Sequence, residues 1–242
     1  MIREPGMLAS AGRMQQLLLP TSLPVHAGAE FVAHYRTSRH AGGDYYDVWR
    51  VDAHRFALMV ADVSGHGASA AMVMAMIRAV VHSGCPPADP AALLHHLNHH
   101  FRYLWPTAMF ATAAVAVLDV AARTLRVASA GHPPPLLVRD GQAGELAVVN
   151  GPMLFWDELG SIACLDEVLE PGDRVVFYTD GITERRAADD SLFELSRVMD
   201  VLTRHGADDV STMVGTVVRE VDAFGRETEP EDDQTVLAVG IR

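Results

Sequence analysis

One stretch of this chain places a carboxylate at a sharp turn between a strand and a helix, and it reads Val60-Ala61-Asp62-Val63-Ser64-Gly65-His66-Gly67. The apolar run from Phe56 to Ala61 predicts a buried strand, and the run from Ala68 to Val81, rich in alanine and methionine, predicts a helix. Two glycines punctuate the turn between them. A strand that ends in aspartate before such a turn holds an oxygen ligand rigidly at the edge of a sheet. Asp62 is therefore the first candidate metal ligand.

Further carboxylates occur far from Asp62 in the sequence, at Asp44, at Asp180 and at the pair Asp232 and Asp233. Hard divalent cations such as Mg²⁺ and Mn²⁺ prefer oxygen ligands. Carboxylates gathered at one place repel one another unless a cation lies between them. We therefore expect these acids to converge on a site for two metal ions.

The first two acids are predicted to lie near each other. Residues 45–51 and 56–61 are predicted strands joined by a turn at His54-Arg55, so they form an antiparallel hairpin. This arrangement puts Asp44 and Asp62 at the same end of neighbouring strands. Gly42-Gly43, just before Asp44, lets the backbone approach a ligand closely.

Composition excludes several classes of partner and location. The net charge of −12 argues against nucleic acid or an anionic membrane as the main partner, because both require clustered basic residues. The two cysteines, Cys85 and Cys164, lie far apart and cannot form a disulfide framework or a thiolate zinc site. The sequence shows neither a signal-peptide core nor a long uncharged apolar run. We expect a cytoplasmic protein.

The order of the predicted elements indicates an α+β fold. Strands come mostly in hairpins and helices mostly in pairs, which favours packed antiparallel sheets with helices outside. Further strands are predicted at residues 30–35, 110–119, 125–129, 136–139, 146–149, 165–169, 174–179 and 235–241. Further helices are predicted at residues 90–102, 191–204 and 208–223.

The chain is predicted to form one domain, at residues 25–242, after an N-terminal helix and connector at residues 1–24. Apolar residues recur at helical spacing over residues 7–19, and Pro20 and Pro24 end that helix. Two interpretations of the helix remain open. It packs on its own domain, or it is a regulatory or dimerisation element that would join two copies into a homodimer.

The predicted helix at 90–102 carries histidines at positions 95, 96, 99 and 100. Their i,i+4 spacing could ligate zinc, but the glutamate of the metalloprotease arrangement is missing between them. We interpret them as solvated or partly packed histidines.

Five short motifs occur in a fixed order along the chain. They are Gly42-Gly43-Asp44-Tyr45-Tyr46-Asp47, Asp62-Val63-Ser64-Gly65-His66-Gly67, Ala130-Gly131-His132-Pro133-Pro134, Tyr178-Thr179-Asp180-Gly181-Ile182-Thr183-Glu184 and Asp232-Asp233-Gln234-Thr235-Val236. This series resembles the metal-dependent protein phosphatases (PPM, or phosphatase 2C-like), specifically their bacterial SpoIIE/RsbU branch. The resemblance covers about residues 12–241.

The resemblance implies a four-layer α/β/β/α sandwich with two Mn²⁺ or Mg²⁺ ions between the sheets. It implies hydrolysis of phosphoserine or phosphothreonine on a protein, which in this branch is usually a phosphorylated STAS-type anti-sigma-factor antagonist. Family members often carry an upstream sensor domain, whereas this chain begins just before the connector helix. We therefore expect regulation by a sensor or partner protein in trans, or a chain that is part of a longer protein.

The same resemblance assigns roles to individual residues. Asp62 would bridge both metals and the Val63 carbonyl would add a ligand. Asp180 and Asp232 would complete one metal site, and Asp44 would hold the other directly or through water. Asp232 is preferred to its neighbour Asp233, because the first acid of that motif is the ligand in the family.

The chemistry of such a site is attack by a metal-bound hydroxide. The ions would lower the pKa of a bridging water and stabilise charge on the phosphoryl oxygens, so no covalent intermediate is needed. Arg39 lies five residues before Asp44, where related phosphatases place a phosphate-binding arginine, and arginine suits a phosphate bidentately. His66 could protonate the leaving group or make a structural hydrogen bond. We interpret His132 as a conformational anchor.

The segment Gly151-Pro152-Met153-Leu154-Phe155-Trp156 departs from the family, which commonly has Pro-Leu-Gly there. We expect it to lie away from the metal ligands, so that it bears on substrate fit rather than on catalysis.

Two other functions compete with an active phosphatase. The first is a pseudophosphatase that binds a phosphoprotein or its kinase without turnover; loss of a metal carboxylate would favour it, and here all four of those positions are acidic. The second is a serine hydrolase that uses Ser64 with His66 or His132 and an aspartate. It lacks the Gly-x-Ser-x-Gly turn that such a nucleophile requires.

Overall fold

Two β-sheets packed face to face form the centre of the molecule, and helices cover both outer faces. The structure, a computed structural model, describes residues 12–38, 41–83, 88–107 and 109–242, with the backbone alone for 105–107.

The strands are β1 (Ala29–Arg36), β2 (Tyr45–Arg50), β3 (Arg55–Val63), β4 (Ala111–Asp119), β5 (Thr124–Ala130), β6 (Leu136–Arg139), β7 (Gln142–Glu145), β8 (Asn150–Gly151), β9 (Leu165–Val168), β10 (Arg174–Tyr178) and β11 (Gln234–Ile241). The helices are α1 (residues 12–16), α2 (Ala68–Val81), α3 (Pro90–Phe101), α4 (Asp180–Thr183), α5 (Glu194–His205) and α6 (Val210–Phe224), with a 3₁₀ helix at Arg102–Thr107.

Each sheet is built mostly from antiparallel pairs. The first sheet has the strand order β1-β11-β10-β6-β7, and the second has the order β2-β3-β4-β5-β8, with β9 also paired to β5. The short β8 pairs with β5 in parallel. The hairpins predicted from the sequence therefore form the ladders of the second sheet, and the last strand of the chain lies near the middle of the first.

Alternate residues of β3 enter different apolar cores. Phe56, Leu58 and Val60 point between the two sheets, whereas Met59 and Ala61 point outward and pack with residues of α2 and α3. A third core joins the outer face of the first sheet to α5 and α6. Three apolar interfaces between four layers confirm the α+β class and the α/β/β/α order.

Local sequence signals start two of the covering helices. The side chain of Asp89 accepts a hydrogen bond from the backbone N–H of Ala92 at 2.9 Å, and that of Asp209 accepts one from Thr212 at 2.9 Å. These N-caps satisfy backbone donors that a helix leaves unpaired at its start.

The strand predicted at residues 146–149 is wrong, and a strand forms just before it instead. Asp140 and Gly141 have positive φ values of 52° and 70°, so they make a tight two-residue turn. This turn fixes the hairpin and pairs Gln142–Glu145 with β6. Leu146 and Val148 are still buried, at 5% and 9% exposure, but they pack without joining a sheet ladder.

In the described part of the N-terminal segment, α1 lies against the domain with one face. Gln15 and Leu19 are buried there, at 2% and 6% exposure, whereas Met14 and Leu17 on the same segment are exposed at 63% and 70%. Residues 1–11, which include the start of the predicted 7–19 helix, lie outside the described residues.

Within the described ranges, none of the helices combines the length and the apolar character that a membrane crossing requires.

Candidate metal centre

Antiparallel pairing of β2 and β3 brings the first two predicted ligands together. Tyr45 pairs with Ala61, so the next residues at that end of the hairpin, Asp44 and Asp62, lie opposite each other. Asp62 lies two residues after Val60, which points between the sheets, and side chains two apart on a strand share a face. The carboxylate of Asp62 therefore faces the space between the sheets.

The other sheet ends at the same place. Tyr178 of β10 pairs with Val236 of β11, and Thr179 and Thr235 follow at the ends of these strands. Both threonine hydroxyls donate hydrogen bonds to Asp44 Oδ2, at 2.7 Å from Thr179 and 2.6 Å from Thr235. These bonds cross from one sheet to the other.

The remaining acids flank those two threonines. Asp180 is the first residue of α4, directly after Thr179, and Asp232 and Asp233 lie in the loop that leads into β11. The structure therefore brings Asp44, Asp62, Asp180, Asp232 and Asp233 to one end of the inter-sheet space.

Three glycines allow the backbone segments to approach closely there. A Cβ atom on Gly42 would overlap the carboxylate of Asp233, and one on Gly181 would overlap the backbone carbonyl of Asp233. A Cβ atom on Gly43 would overlap the carbonyl oxygen of Val63. The motif glycines are thus required by contact between segments.

Burial and like charge act together on the first two acids. Burial, reinforced by the negative charges of Asp180, Asp232 and Asp233, raises the pKa of Asp62 to about 8. Burial, with the charges of Asp62 and Asp233, also raises the pKa of Asp44 well above its usual range, although the threonine hydroxyls oppose that shift. Asp44 and Asp62 are therefore close enough to influence each other, and the negative charge of Asp62 is part of what raises the pKa of Asp44.

The other two acids are shifted in the same direction. Burial and the neighbouring Glu184 raise the pKa of Asp180, and burial raises the pKa of Asp232, with Asp180 adding to the effect. All four neighbouring carboxyl groups therefore resist ionisation. A bound divalent cation would compensate the negative charge that they carry when ionised.

The ligand atoms available at this site are oxygens, which suit hard divalent cations. Their side chains do not surround a single point. Among the described residues, no group of three His, Cys, Asp or Glu side chains is arranged to hold one ion. One oxygen of Asp44 is occupied by Thr179 and Thr235, and Asp233 is held by Ser38. The carboxylate and carbonyl oxygens are nevertheless the ligands that Mg²⁺ and Mn²⁺ take.

Asp232 and Asp233 have different surroundings. Asp233 is buried at 3% exposure, and its Oδ1 accepts hydrogen bonds from the backbone N–H of Ser38 at 2.9 Å and from the Ser38 hydroxyl at 3.3 Å. Asp232 is exposed as a residue, although its carboxyl group is partly shielded from water. Asp233 thus braces the loop before Asp44, and Asp232 is the freer carboxylate.

The sequence analysis missed Thr179 and Thr235 as site residues. Each lies inside a motif that also carries an expected acidic ligand, and a hydroxyl at a strand end in such a motif is the signal that could have identified them. Arg39, the candidate phosphate ligand, lies outside the described residues.

The serine-hydrolase hypothesis finds no support in the surroundings of Ser64 and His132. Ser64 Oγ accepts a hydrogen bond from the backbone N–H of Phe110 at 3.0 Å. His132 Nε2 lies 3.0 Å from the carbonyl oxygen of Tyr178, and its Nδ1 lies 2.8 Å from the hydroxyl of Thr112. His132 therefore bridges the two sheets and does not activate Ser64.

The histidines of α3 also lie apart from this site. His95, His99 and His100 are exposed and His96 is half-buried, as the sequence indicates. The rings of His96 and His100 contact each other with centroids 4.3 Å apart and their planes tilted by 52°.

The segment at 151–156 is joined to the first residue of β4 by backbone hydrogen bonds. Leu154 exchanges two backbone hydrogen bonds with Ala111, at 3.1 and 2.8 Å, and Ala111 pairs with Val63. The segment is thus two strands away from the candidate carbonyl ligand. Trp156 is 57% exposed and packs edge-on to Phe110, so an aromatic surface lies at this end of the sheet.

Sequence comparison identifies relatives of this chain. The family model described as Stage II sporulation protein E (SpoIIE) matches residues 52–242. The phosphoserine phosphatase RsbP of Bacillus subtilis (strain 168) is 22% identical over 216 residues, which cover 87% of this chain and 52% of RsbP. The phosphoserine phosphatase RsbU of the same organism is 28% identical over 211 residues, which cover 86% of this chain and 62% of RsbU. The chain therefore spans about half of one relative and about three fifths of the other.

Structural comparison agrees with this result. The SiaA-PP2C domain of Pseudomonas aeruginosa superposes with a TM-score of 0.86 at 22% sequence identity, covering 99% of this chain and 98% of that domain. The two-sheet sandwich and its helical layers are thus those of a PP2C domain. The family model matches about four fifths of this chain, and the chain therefore belongs to the SpoIIE family of PP2C-like phosphatase domains.

Proposed function

We propose that this chain is a metal-dependent serine/threonine phosphatase that hydrolyses phosphoserine or phosphothreonine on a signalling protein. The observation that carries the proposal is the convergence of Asp44, Asp62, Asp180 and Asp232 between the sheets, each with a raised pKa. Holding four carboxyl groups together is costly unless the site binds cations. Perturbed acids of this kind are typical of functional sites.

Two Mn²⁺ or Mg²⁺ ions would be held by these acids and by the carbonyl oxygen of Val63. When bound, such ions supply water activation near neutral pH and stabilise negative charge on a phosphoryl group. Asp62 is central because the charges of Asp180, Asp232 and Asp233 all act on it. We assign Asp233 a structural role: it holds the loop before Asp44 by accepting hydrogen bonds from Ser38.

The hydroxyls of Thr179 and Thr235 fix the orientation of Asp44, because both donate to one oxygen of that carboxylate. Its second oxygen is left for an ion or an ordered water. Arg39, five residues before Asp44, is proposed to contact the phosphate bidentately.

The substrate we propose is a phosphorylated STAS-type anti-sigma-factor antagonist, with a sensor or partner protein in the cytoplasm as regulator. Its support is the resemblance to the SpoIIE/RsbU branch and the phosphoserine phosphatases RsbP and RsbU among the relatives. Exposed apolar side chains suit protein contact. Trp156 is 57% exposed, and Met72, in the second turn of α2, is 66% exposed.

The test is a direct titration of the chain with Mn²⁺ by calorimetry, paired with phosphate release from phosphoserine, phosphothreonine and phosphotyrosine peptides. We expect two ions per chain and release from the first two peptides. Asp180→Asn should lose one ion and most of the activity, because a carboxylate ligand is removed.

Two outcomes would contradict the proposal. Phosphate release that is unchanged in Asp180→Asn or in EDTA would exclude the metal mechanism. A wild-type chain that binds Mn²⁺ and a phosphoprotein, yet releases no phosphate, would favour the pseudophosphatase.

A further inference from the structure

Gln15 makes a buried connection between the N-terminal helix and the loop that carries Asp44. Its side chain is 2% exposed. Nε2 donates a hydrogen bond to the carbonyl oxygen of Gly42 at 2.8 Å, and Oε1 accepts one from the backbone N–H of Gly42 at 2.9 Å. Nε2 also lies 3.0 Å from the hydroxyl oxygen of Tyr35, to which it donates. One amide thus satisfies both backbone groups of a single glycine.

The loop at Gly42 needs an external support of this kind. Gly42 and Gly43 have no side chains with which to anchor themselves, and consecutive glycines are the most flexible backbone in an unfolded or open state. A side chain at Gly42 would overlap Asp233, and one at Gly43 would overlap the carbonyl of Val63, so the loop cannot be fixed by replacing either glycine.

Other contacts hold the loop from the side of the acids and of α2. Asp233 binds Ser38 on one side of the loop, and the carbonyl of Ala41 accepts a hydrogen bond from the backbone N–H of Gly67 at 3.0 Å. Gln15 reaches the loop from α1 and holds it two residues before Asp44.

We infer that Gln15 is a positioning residue for the metal centre, which sets the place of Asp44 by clamping the backbone of Gly42. This inference rests on the proposed function. The clamp requires both a donor and an acceptor, because the N–H and the carbonyl of Gly42 are engaged at once. Glutamate at this position would keep the acceptor and lose the donor.

The chain offers a matched control in the next residue. Gln16 lies on the same helix and is exposed, so Gln16→Ala removes an identical side chain without touching Gly42. Leu19→Ala is a second control, because it loosens the packing of the N-terminal segment while keeping the amide of Gln15.

The first measurement is amide hydrogen exchange of residues 41–45 in the metal-free full chain. We expect at least tenfold faster exchange in Gln15→Ala, an intermediate increase in Gln15→Glu and no change in Gln16→Ala. Wild-type exchange in Gln15→Ala would overturn the clamp whether or not the protein binds metal.

The second measurement is Mn²⁺ affinity by calorimetry and the Mn²⁺ dependence of phosphate release. We expect about tenfold weaker Mn²⁺ binding in Gln15→Ala, with KM for the phosphopeptide unchanged at saturating Mn²⁺. An equal loss of Mn²⁺ affinity in Leu19→Ala would show that Gln15 acts only through the packing of the N-terminal segment, and would overturn the inference. A wild-type chain that binds no Mn²⁺ would instead refute the proposed metal centre, while the exchange experiment still decides the clamp.

Discussion

Folding and ion binding favour opposite protonation states of the Asp62 carboxyl group. The fold buries it beside four other aspartates and raises its pKa to about 8, which favours the neutral acid. A divalent cation requires the ionised form. The metal-free protein therefore holds a proton where the loaded protein would hold an ion, so metal binding should release protons near neutral pH.

This conflict predicts a pH dependence of stability in the metal-free protein. The ordinary pKa of an unfolded aspartate is about 3.9, so between that pH and about 8 the folded state binds more protons at Asp62 than the unfolded state. The stabilisation is complete at the acid end of this range and is lost as pH rises through about 8. We expect the melting temperature of EDTA-treated wild type to fall more steeply from about pH 6.5 to 8 than that of Asp62→Asn.

Thermal unfolding of both proteins across that range is the measurement, and added Mn²⁺ should stabilise the wild type most at the alkaline end. Parallel melting curves for the two proteins would mean that Asp62 carries no raised pKa.

Thr235 provides a second prediction at single-residue scale. Its buried hydroxyl donates to Asp44 Oδ2 at 2.6 Å, and hydrogen bonds to charged groups contribute about 1.5–3 kcal/mol. Thr235→Val keeps the shape and removes the donor, so we expect about a tenfold loss of kcat at limiting Mn²⁺. Thr235→Ser, which keeps the hydroxyl, should retain activity within a few-fold. Wild-type activity in Thr235→Val would show that the hydroxyl is not needed, and an equal loss in Thr235→Ser would show that the effect is not specific to the hydroxyl.

The acids of the site could be found in the sequence because each lies at a strand end beside a glycine or a second acid. Sequence alone could not rank Asp232 above Asp233 by environment, since that depends on Ser38, nearly two hundred residues earlier in the chain. It also could not find Gln15, whose role arises only when α1 packs against the loop before Asp44.

At the scale of elements, His132 joins the two sheets just beyond the strands that carry the site. Burial lowers its pKa to about 4, so the ring is neutral and donates from Nε2 to the carbonyl of Tyr178. Nδ1 then accepts from the hydroxyl of Thr112. The bridge links β10 of the first sheet to β4 of the second.

His132→Ala should therefore destabilise the fold by about 2–4 kcal/mol, because it leaves a cavity and an unpaired carbonyl oxygen. Its pH effect has the opposite sign to that of Asp62. An unfolded histidine has a pKa of about 6.5, so wild type loses this stability as pH falls from there towards about 4. Urea unfolding at pH 7.5 and pH 5 should show a smaller difference between wild type and variant at about pH 5. An equal difference at both pH values would contradict a buried neutral ring.

Hydrophobic periodicity in the sequence predicted most of the helices and strands, because their apolar faces pack against the neighbouring layers. The predicted helix at 68–81 coincides with α2, and the hairpins β2–β3 and β4–β5 have the predicted antiparallel pairing. The error at 146–149 arose because the Asp140-Gly141 turn starts a strand in residues of weak strand propensity. Tight turn geometry therefore outweighed the apolar pattern that follows.

At the scale of the whole molecule, the exposed face of the N-terminal segment predicts self-association. Met14 and Leu17 are exposed at 63% and 70% on the segment whose opposite face buries Gln15. We propose a homodimer through this face, and expect sedimentation equilibrium to show a dimer that Met14→Asp/Leu17→Asp converts to a monomer. This double variant keeps Gln15, so its effect is separate from the clamp. A wild-type monomer at micromolar concentration would exclude the dimer.

The most direct test of the proposed metal-dependent phosphatase is phosphate release from a phosphoserine STAS-domain protein. It compares the wild type with Asp62→Asn, each with Mn²⁺, with Mg²⁺ and with EDTA. We predict release by the wild type with a divalent ion, none with EDTA, and at least a hundredfold loss in the variant, whose circular dichroism should be unchanged. Release that persists in EDTA or in Asp62→Asn would contradict a metal-dependent phosphatase centred on Asp62.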